Sequence, residues 1–348
     1  MRVPATSANL GPGFDSLGLA LSWHDDVEAW VCPSGLSIEI TGEGDGLAEA
    51  GEEHLVVRAM RAAFDVIGDQ PPGIGLRCVN RIPHGRGLGS SAAAIVAGIL
   101  AARALSARGP GQLPDDAVFR LAAGLDGHPD NVAACLGGGL TVAWTAAGGP
   151  RMVRLEPLPW IRPVVCVAPS PVRTDVARGL LPDVVPHRDA AAGAGRSALL
   201  VAALCFPGGS DPPQTPPAHG GDARPPVPAG PPGHGGDARP PVPPWPPGPP
   251  GVLLDATEDW LHQGYRASAM PETDALLRRL RAAGLPAVVS GAGPSVLVLL
   301  GARERADLHQ LDSLGSIVEE TGIAWHISSL DVERQGARVL HPKSPSDR

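Results

Sequence analysis

Pro83-His-Gly-Arg-Gly-Leu-Gly-Ser-Ser91, followed without a break by AAAIVAGILAARAL to Leu105, is the passage from which the architecture is read. Glycines at 85, 87 and 89 permit positive φ and a close approach of ligand to backbone. The apolar run behind them predicts a helix whose free N–H groups and dipole present partial positive charge. That is the chemistry of a phosphate cradle. It is not the Walker A arrangement, because no G-x-x-x-x-G-K-[ST] occurs and no lysine follows the glycines. It also lacks the G-x-G-x-x-G order of a dinucleotide turn. A glycine loop entering an amphipathic helix through serine N-caps reads the same way from this stretch alone, so the neighbouring segments decide.

Three other segments keep it company. Residues 4–21, PATSANLGPGFDSLGLAL, place Asn9 and Asp15 on a turn-rich loop where backbone approaches a ligand. In Gly127-His-Pro-Asp-Asn131, Pro129 fits the first turn of a short helix. Asp126, Asp130 and Asn131 cluster there, where a cation or hydroxyl could be held. Val288-Val-Ser-Gly-Ala-Gly-Pro-Ser295 is a second glycine loop, set between two apolar runs.

The 348 residues suffice for one large or two ordinary domains. Lys+Arg 28 against Asp+Glu 36 gives a net charge of -8 with no basic tract, which argues against nucleic acid as a partner. The five cysteines are scattered and never in C-x-x-C spacing, so neither a disulfide framework nor a zinc site is suggested, and a reducing cytoplasmic setting is expected. The N-terminus lacks a signal pattern, and Ala92–Ala102, the most apolar run, is too short to cross a bilayer. No membrane partner is expected. Only three residues precede Pro4, so the first strand is expected to be clipped.

Between Pro207 and Gly251 stand 18 Pro and 10 Gly, and HGGDARPPVP occurs twice, at 219–228 and 234–243. This is a low-complexity insert that cannot bury enough apolar surface to offset its ordering entropy, so a disordered surface excursion is expected. Outside it, alternation and turn residues predict strands over Ser37–Thr41, Gly75–Asn80, Leu140–Trp144, Pro163–Ala168, Ala287–Ser290 and Ser295–Leu300. Helical periodicity covers His54–Ile67, Ser91–Ser106, Asp115–Ala123, Arg196–Phe206, Thr273–Ala283 and Arg303–Leu314. A Gly149-Pro150 turn suggests a division near residue 150.

Taken together the four segments resemble the GHMP small-molecule kinases, over nearly the whole chain except the insert. PATSANLGPGFDSLGLAL is similar to the family's N-terminal motif, PHGRGLGSSAAA to its phosphate loop and SGAGPS to its C-terminal glycine loop. Two further blocks resemble the homoserine kinase branch: Thr174-Asp-Val-Ala-Arg178-Gly-Leu-Leu-Pro182 and Glu258-Asp-Trp-Leu-His262-Gln-Gly-Tyr-Arg266. The resemblance implies an α+β, two-domain GHMP kinase fold. A ribosomal-protein-like N-terminal half (1–150) would carry the phosphate loop, and a ferredoxin-like C-terminal half (151–340) would be interrupted by the insert at 207–251. It implies transfer of a phosphoryl group from ATP to the side-chain hydroxyl of L-homoserine, on the route to threonine, with the oligomeric state left open, a homodimer included.

An amino acid with a terminal hydroxyl needs a cation fork, a carboxylate and a neutral orienting group. Arg178 and Arg266 answer the first, Asp15 the second, and Asn9 or Asn131 the third, with Thr174 beside them. The resemblance assigns the nucleotide to Pro83, His84, Gly85, Arg86, Gly87, Leu88, Gly89, Ser90, Ser91, Ala92 and Ala93. It assigns Mg2+ to Ser91 and, less directly, Asp126, where relatives carry Glu. Asn131, Asp130 and Arg178 are the catalytic candidates, Asp130 as a proton acceptor; His128 and His262 read as structural. Gly193 and Gly264 depart from the pattern, which has Asn and Pro there. Another GHMP kinase, or an inactive nucleotide-binding sensor of the same fold, are the competing readings.

Overall fold

The computed structural model describes residues 1–44, 46–206, 251–301 and 306–340. The insert expected over 207–251 lies outside the described residues except for Gly251, as does the start of the helix expected from Arg303.

Strands β1 (Arg2–Ala8), β2 (Leu17–Cys32), β3 (Gly35–Gly42), β4 (Gly73–Asn80), β5 (Leu140–Ala146) and β6 (Gly149–Leu155) form one sheet. Its order is β3-β4-β2-β5-β6, with β1 beside β2, and every pair but β3–β4 is antiparallel. Strands β7 (Ile161–Val167), β8 (Ala287–Val289), β9 (Val296–Gly301) and β10 (His326–Ser329) form a second, antiparallel sheet in the order β10-β7-β9-β8. Helices α1 (Leu55–Ile67), α2 (Ser90–Leu105), α3 (Gly109–Gln112), α4 (Asp115–Asp126) and α5 (Pro129–Gly137) belong to the first half of the chain. Helices α6 (Thr174–Arg178), α7 (His187–Cys205), α8 (Val252–Ala256), α9 (Gln263–Arg266), α10 (Pro271–Ala282) and α11 (Ala306–Glu319) belong to the second. Among the described residues no helix is long and apolar enough to cross a membrane.

The six predicted strands are all present. β2, β6 and β10 were not legible as strands. β2 carries His24, Asp25, Asp26 and Glu28 through its middle, which breaks the alternation expected of a half-buried strand. The fold accommodates them: Asp26 pairs with Arg2 at 2.8 Å and Arg81 at 2.9 Å, and Asp25 accepts the N–H groups of Arg81 and Ile82. β1 pairs antiparallel with β2 over seven residues, with a register shift between Pro4 and Ala5. Gly149-Pro150 opens the return arm of the β5–β6 hairpin, so the change of sheet falls between Leu155 and Ile161.

Helix α2 is central. Ala92, Ala93 and Ile95 through Ala102 are all buried, so the helix is apolar around its circumference rather than amphipathic. Gly98 lets α1 lie against it, since a Cβ there would stand 2.5 Å from the Val56 carbonyl oxygen. Helix α1 answers with a single apolar face of Val56, Val57, Met60, Ala63, Phe64 and Ile67. This rigid pair fixes where the start of α2, and with it Ser90 and Ser91, emerges.

Candidate active site

The start of α2 is built by convergence. Gly85, Gly87 and Gly89 take φ of 66°, 72° and 68°. Gly89 itself is the N-cap, without a side-chain cap, in place of the expected serine cap, because a left-handed residue already turns the chain into the helix. Ser90 and Ser91 therefore keep their hydroxyls. The N–H groups of Ser90, Ser91 and Ala92 have no acceptor within the helix. Ala93, expected to touch nucleotide, is fully buried, and its N–H donates to Gly89 O at 2.9 Å.

Two of the glycines answer to the protein itself. A Cβ on Gly87 would stand 2.1 Å from the Ser290 carbonyl oxygen and 2.8 Å from that of Gly293; one on Gly89 would stand 1.9 Å from Thr6 Oγ1. The two glycine loops thus touch backbone to backbone, and Ser290 Oγ donates to Gly87 O at 2.6 Å. Arg86 turns away from the helix start: its guanidinium donates to the carbonyls of Ala168, Pro169 and His84 at 2.8, 2.8 and 3.1 Å. It staples the loop to the end of β7.

A cavity of about 280 Å³ opens on this helix start, lined by Gly85 to Ala92, Asp126, His128, Asn131, Thr174, Gly291 and Ala292, with the exception of Arg86. Gly127, at φ 86°, ends α4 and swings the chain into α5, which brings Asp126 and Asn131 to the same opening. Asn131 Oδ1 accepts from Thr6 Oγ1 at 2.8 Å. Asp126 is half-buried; burial pushes its carboxyl up to about 6, against the Ser91 hydroxyl and Arg178, which lower it. Burial likewise holds the His128 imidazole below its ordinary range.

Asp130 is absent from the cavity lining. The residue is 2% exposed, and its carboxyl accepts the N–H of Asn131 at 2.8 Å. Burial, then Asp15 and Asp126, push it up to about 7, opposed by the Asn131 N–H and Arg178. Because the folded value lies above the unfolded one near 3.9, protonation favours the fold: the ionised carboxyl weakens it above pH 7, and this cost disappears as pH falls toward 4. A three-unit rise corresponds to roughly 4 kcal/mol. Asp130→Asn, which keeps an acceptor for the Asn131 N–H, is expected to raise the melting temperature at pH 8 and far less at pH 5. Equal shifts at both pH values would show that the charge does not burden the fold.

The amino-acid blocks meet beside this cavity. Asp15, held in the left-handed region at φ 53°, pairs with Arg178 at 2.5 and 3.2 Å. Arg266 is 1% exposed, and burial and Arg178 lower its guanidinium to about 10. Its Nη1 faces His262 Nδ1 at 3.1 Å and donates to Gly291 O at 3.4 Å. Arg178 and Arg266 do not line the cavity themselves. Thr174, on the short helix with Arg178, and Gly291, under Arg266, connect them to it.

Asn9, expected to orient substrate, is 5% exposed and is a joint: its Nδ2 donates to Gly291 O at 2.8 Å and its Oδ1 accepts the Asp15 N–H at 2.9 Å. Gly193 packs on Leu261, where a Cβ would meet Cδ1 at 3.0 Å, so the side chain missing there leaves an apolar contact. Gly264 faces open space. Arg196 pairs with Glu258 at 2.5 Å and lies 4.4 Å over Trp260.

Several participants were not foreseen. Phe14 lies under both arginines. Asp259 accepts the N–H groups of Leu261, His262 and Gln263, which nucleates α9 and so places Arg266; an Asp four residues ahead of a helical turn is the signal that could have shown it. A second cavity of about 320 Å³ also opens on Ser90 and Ser91, lined largely by apolar groups, with Leu47, His54, Val56 and His84 among them. His54 is 7% exposed and its Nδ1 has no partner.

A fold of two sheets joined at two glycine loops, with a free helix start between an apolar and a polar cavity, defines a small-molecule kinase of the GHMP class. The family descriptions "GHMP kinases N terminal domain" and "GHMP kinases C terminal" match residues 54–139 and 252–317. A homoserine kinase of Streptomyces coelicolor is 48% identical over 347 residues, all of this chain and 96% of that one. One of Leifsonia xyli is 42% identical, over 97% of this chain and 91% of that one. The homoserine kinase structure from Cytophaga hutchinsonii superposes with a TM-score of 0.74 at 23% identity, covering 96% of this chain and 95% of that one. The chain belongs to the homoserine kinase family, within the GHMP kinases, and ATP is the co-substrate that this family implies. L. major mevalonate kinase, at TM-score 0.62 and 14% identity, covering 97% of this chain and 96% of that one, shares the fold.

Proposed function

We propose that this protein transfers the γ-phosphoryl of ATP to the side-chain hydroxyl of L-homoserine, giving O-phospho-L-homoserine. One observation carries the reading: the unpaired amides of an apolar helix start floor a cavity, and two arginines and a carboxylate stand behind its Thr174 and Gly291 walls without lining it. Anions seek such a helix start, so the nucleotide's phosphates lie along Gly89–Ala92, with the base in the apolar cavity by His54. The Arg178–Arg266 pair takes the substrate carboxylate, Asp15 its ammonium, and Asn131 Nδ2, with its Oδ1 already fixed on Thr6, orients the hydroxyl. We propose also the division into two domains expected at residue 150, with the boundary moved to the link between Leu155 and Ile161 so that β6 stays with its hairpin, and with the site between them.

Phosphoryl transfer asks chiefly for positioning and charge neutralisation. Asp126 and Ser91 suit Mg2+: the carboxyl lies half-buried with only a hydroxyl as its hydrogen-bonded side-chain partner, which leaves its charge under-compensated. Two oxygen ligands suffice for an ion that keeps several waters. When bound, Mg2+ supplies charge neutralisation at the phosphates. Asp130, turned onto Asn131, shapes the local field rather than touching the hydroxyl.

The test is ADP release by the purified chain, with Mg2+ and ATP, on a panel of L-homoserine, mevalonate and a sugar. L-homoserine alone should stimulate release. Stimulation by another alcohol would move the reading within the class, and tight ATP binding without turnover on any alcohol would favour an inactive sensor.

A further inference from the structure

The carboxylate clamp holds two like charges close together: Asp15 pairs with Arg178, whereas Arg266 feels Asp15, Asp259 and Asp130 without a hydrogen bond to any of them. Both guanidiniums keep a buried Nε–H without a partner. Asp15 fixes Arg178 alone, so something other than an ion pair must hold Arg266 at its spacing from Arg178. Phe14 is the shared surface: its ring centroid lies 5.5 Å from Arg178 Cζ and 5.4 Å from Arg266 Cζ, within cation–π range of each. The same ring stacks on the His262 imidazole at 5.1 Å with 27° between planes. His262 is fully buried, and its Nε2 stands 2.8 Å from the Gly11 carbonyl oxygen, which can only accept. Nε2 therefore carries the proton, and the bare Nδ1 accepts from Arg266 Nη1 at 3.1 Å.

We infer that Phe14 and His262 are positioning residues that set the spacing and tilt of the Arg178–Arg266 pair, and so determine selection for an acceptor alcohol bearing an α-carboxylate. This rests on the clamp's proposed role in binding L-homoserine. His262 acts through its acceptor nitrogen and Phe14 through its ring face. Neither touches the reacting atoms. Gly11, at φ 78° on the loop that carries Phe14, ties the imidazole to that same loop, so the ring pair and both arginines move as one body.

The readout is a ratio: kcat/KM for L-homoserine over kcat/KM for 3-aminopropan-1-ol, which is the same amino alcohol without the carboxylate. Phe14→Leu and His262→Gln, which retains a donor toward Gly11 but loses the acceptor at Nδ1, are each expected to lower this ratio at least tenfold, mainly through KM for L-homoserine. His262→Asn, whose Oδ1 replaces the Nδ1 acceptor, should restore most of it. A merely structural role lowers both substrates alike and leaves the ratio unchanged, which overturns the inference, as does a loss in His262→Asn equal to that in His262→Gln. Phe14 is half-exposed, so Phe14→Leu remains informative where the buried His262 variants fail to fold. A wild-type chain that ignores L-homoserine overturns the clamp's role instead.

Discussion

Arg266→Met should raise KM for L-homoserine by two to three orders of magnitude while KM for ATP shifts less than about threefold. The side chain is 1% exposed, and burial together with Arg178 pulls its guanidinium down to about 10, still fully charged at neutral pH. A buried cation with an unpartnered Nε–H is held ready for an anion, and removing one side of a desolvated charge pair costs about 2–5 kcal/mol. That is about 30- to 5,000-fold in affinity. Methionine fills similar volume with an unbranched chain, so the loss reports charge rather than a cavity. Arg178→Met, at a position with a more exposed side chain, should show the same direction with a smaller size, because solvent screens the charge there. Unchanged KM values in both variants would remove the carboxylate from this corner of the site. Steady-state kinetics with each substrate varied in turn settle the point.

Asp126→Asn is expected to lower kcat by about 10²–10³, and to raise the Mg2+ concentration needed for half-maximal rate at least tenfold. The substitution keeps shape and still accepts from Ser91, so the change is one of charge alone. The raised carboxyl, at about 6, is ionised at pH 7.5, and a divalent cation bound there would pull it lower, so metal affinity should weaken as pH falls through 6. Wild-type Mg2+ dependence in the variant would place the ion elsewhere. Ser91→Ala, which removes the neutral partner, should follow in the same direction.

The glycine loops were readable because glycine, proline and serine punctuate the chain whatever surrounds them, and the apolar run after Ser91 admitted one reading. The strands that escaped notice are those whose stability comes from partners distant in sequence. β6, GPRMVRL, has little alternation and is held by its hairpin with β5. α7 starts nine residues ahead of the expected Arg196, because DAAAGAG shows no apolar face until the helix packs near Leu261. At the site, residue identity gave the members but not their aim. Arg86 looks like a phosphate ligand in its loop, yet its acceptors, Ala168 and Pro169, stand more than eighty positions away. Asn9 and Asp130 likewise satisfy their polar groups within the protein, a fact of three-dimensional packing that no spacing announces.

The turn at Ser290–Gly293 is touched from both directions: by Gly87 on the nucleotide side, and by Asn9 and Arg266 on the amino-acid side. It behaves as a keystone between two arches. A shim placed there, even one methyl group, would press on Gly87 and on the Asn9 and Arg266 contacts at once, so a single change in this turn should disturb both proposed subsites together.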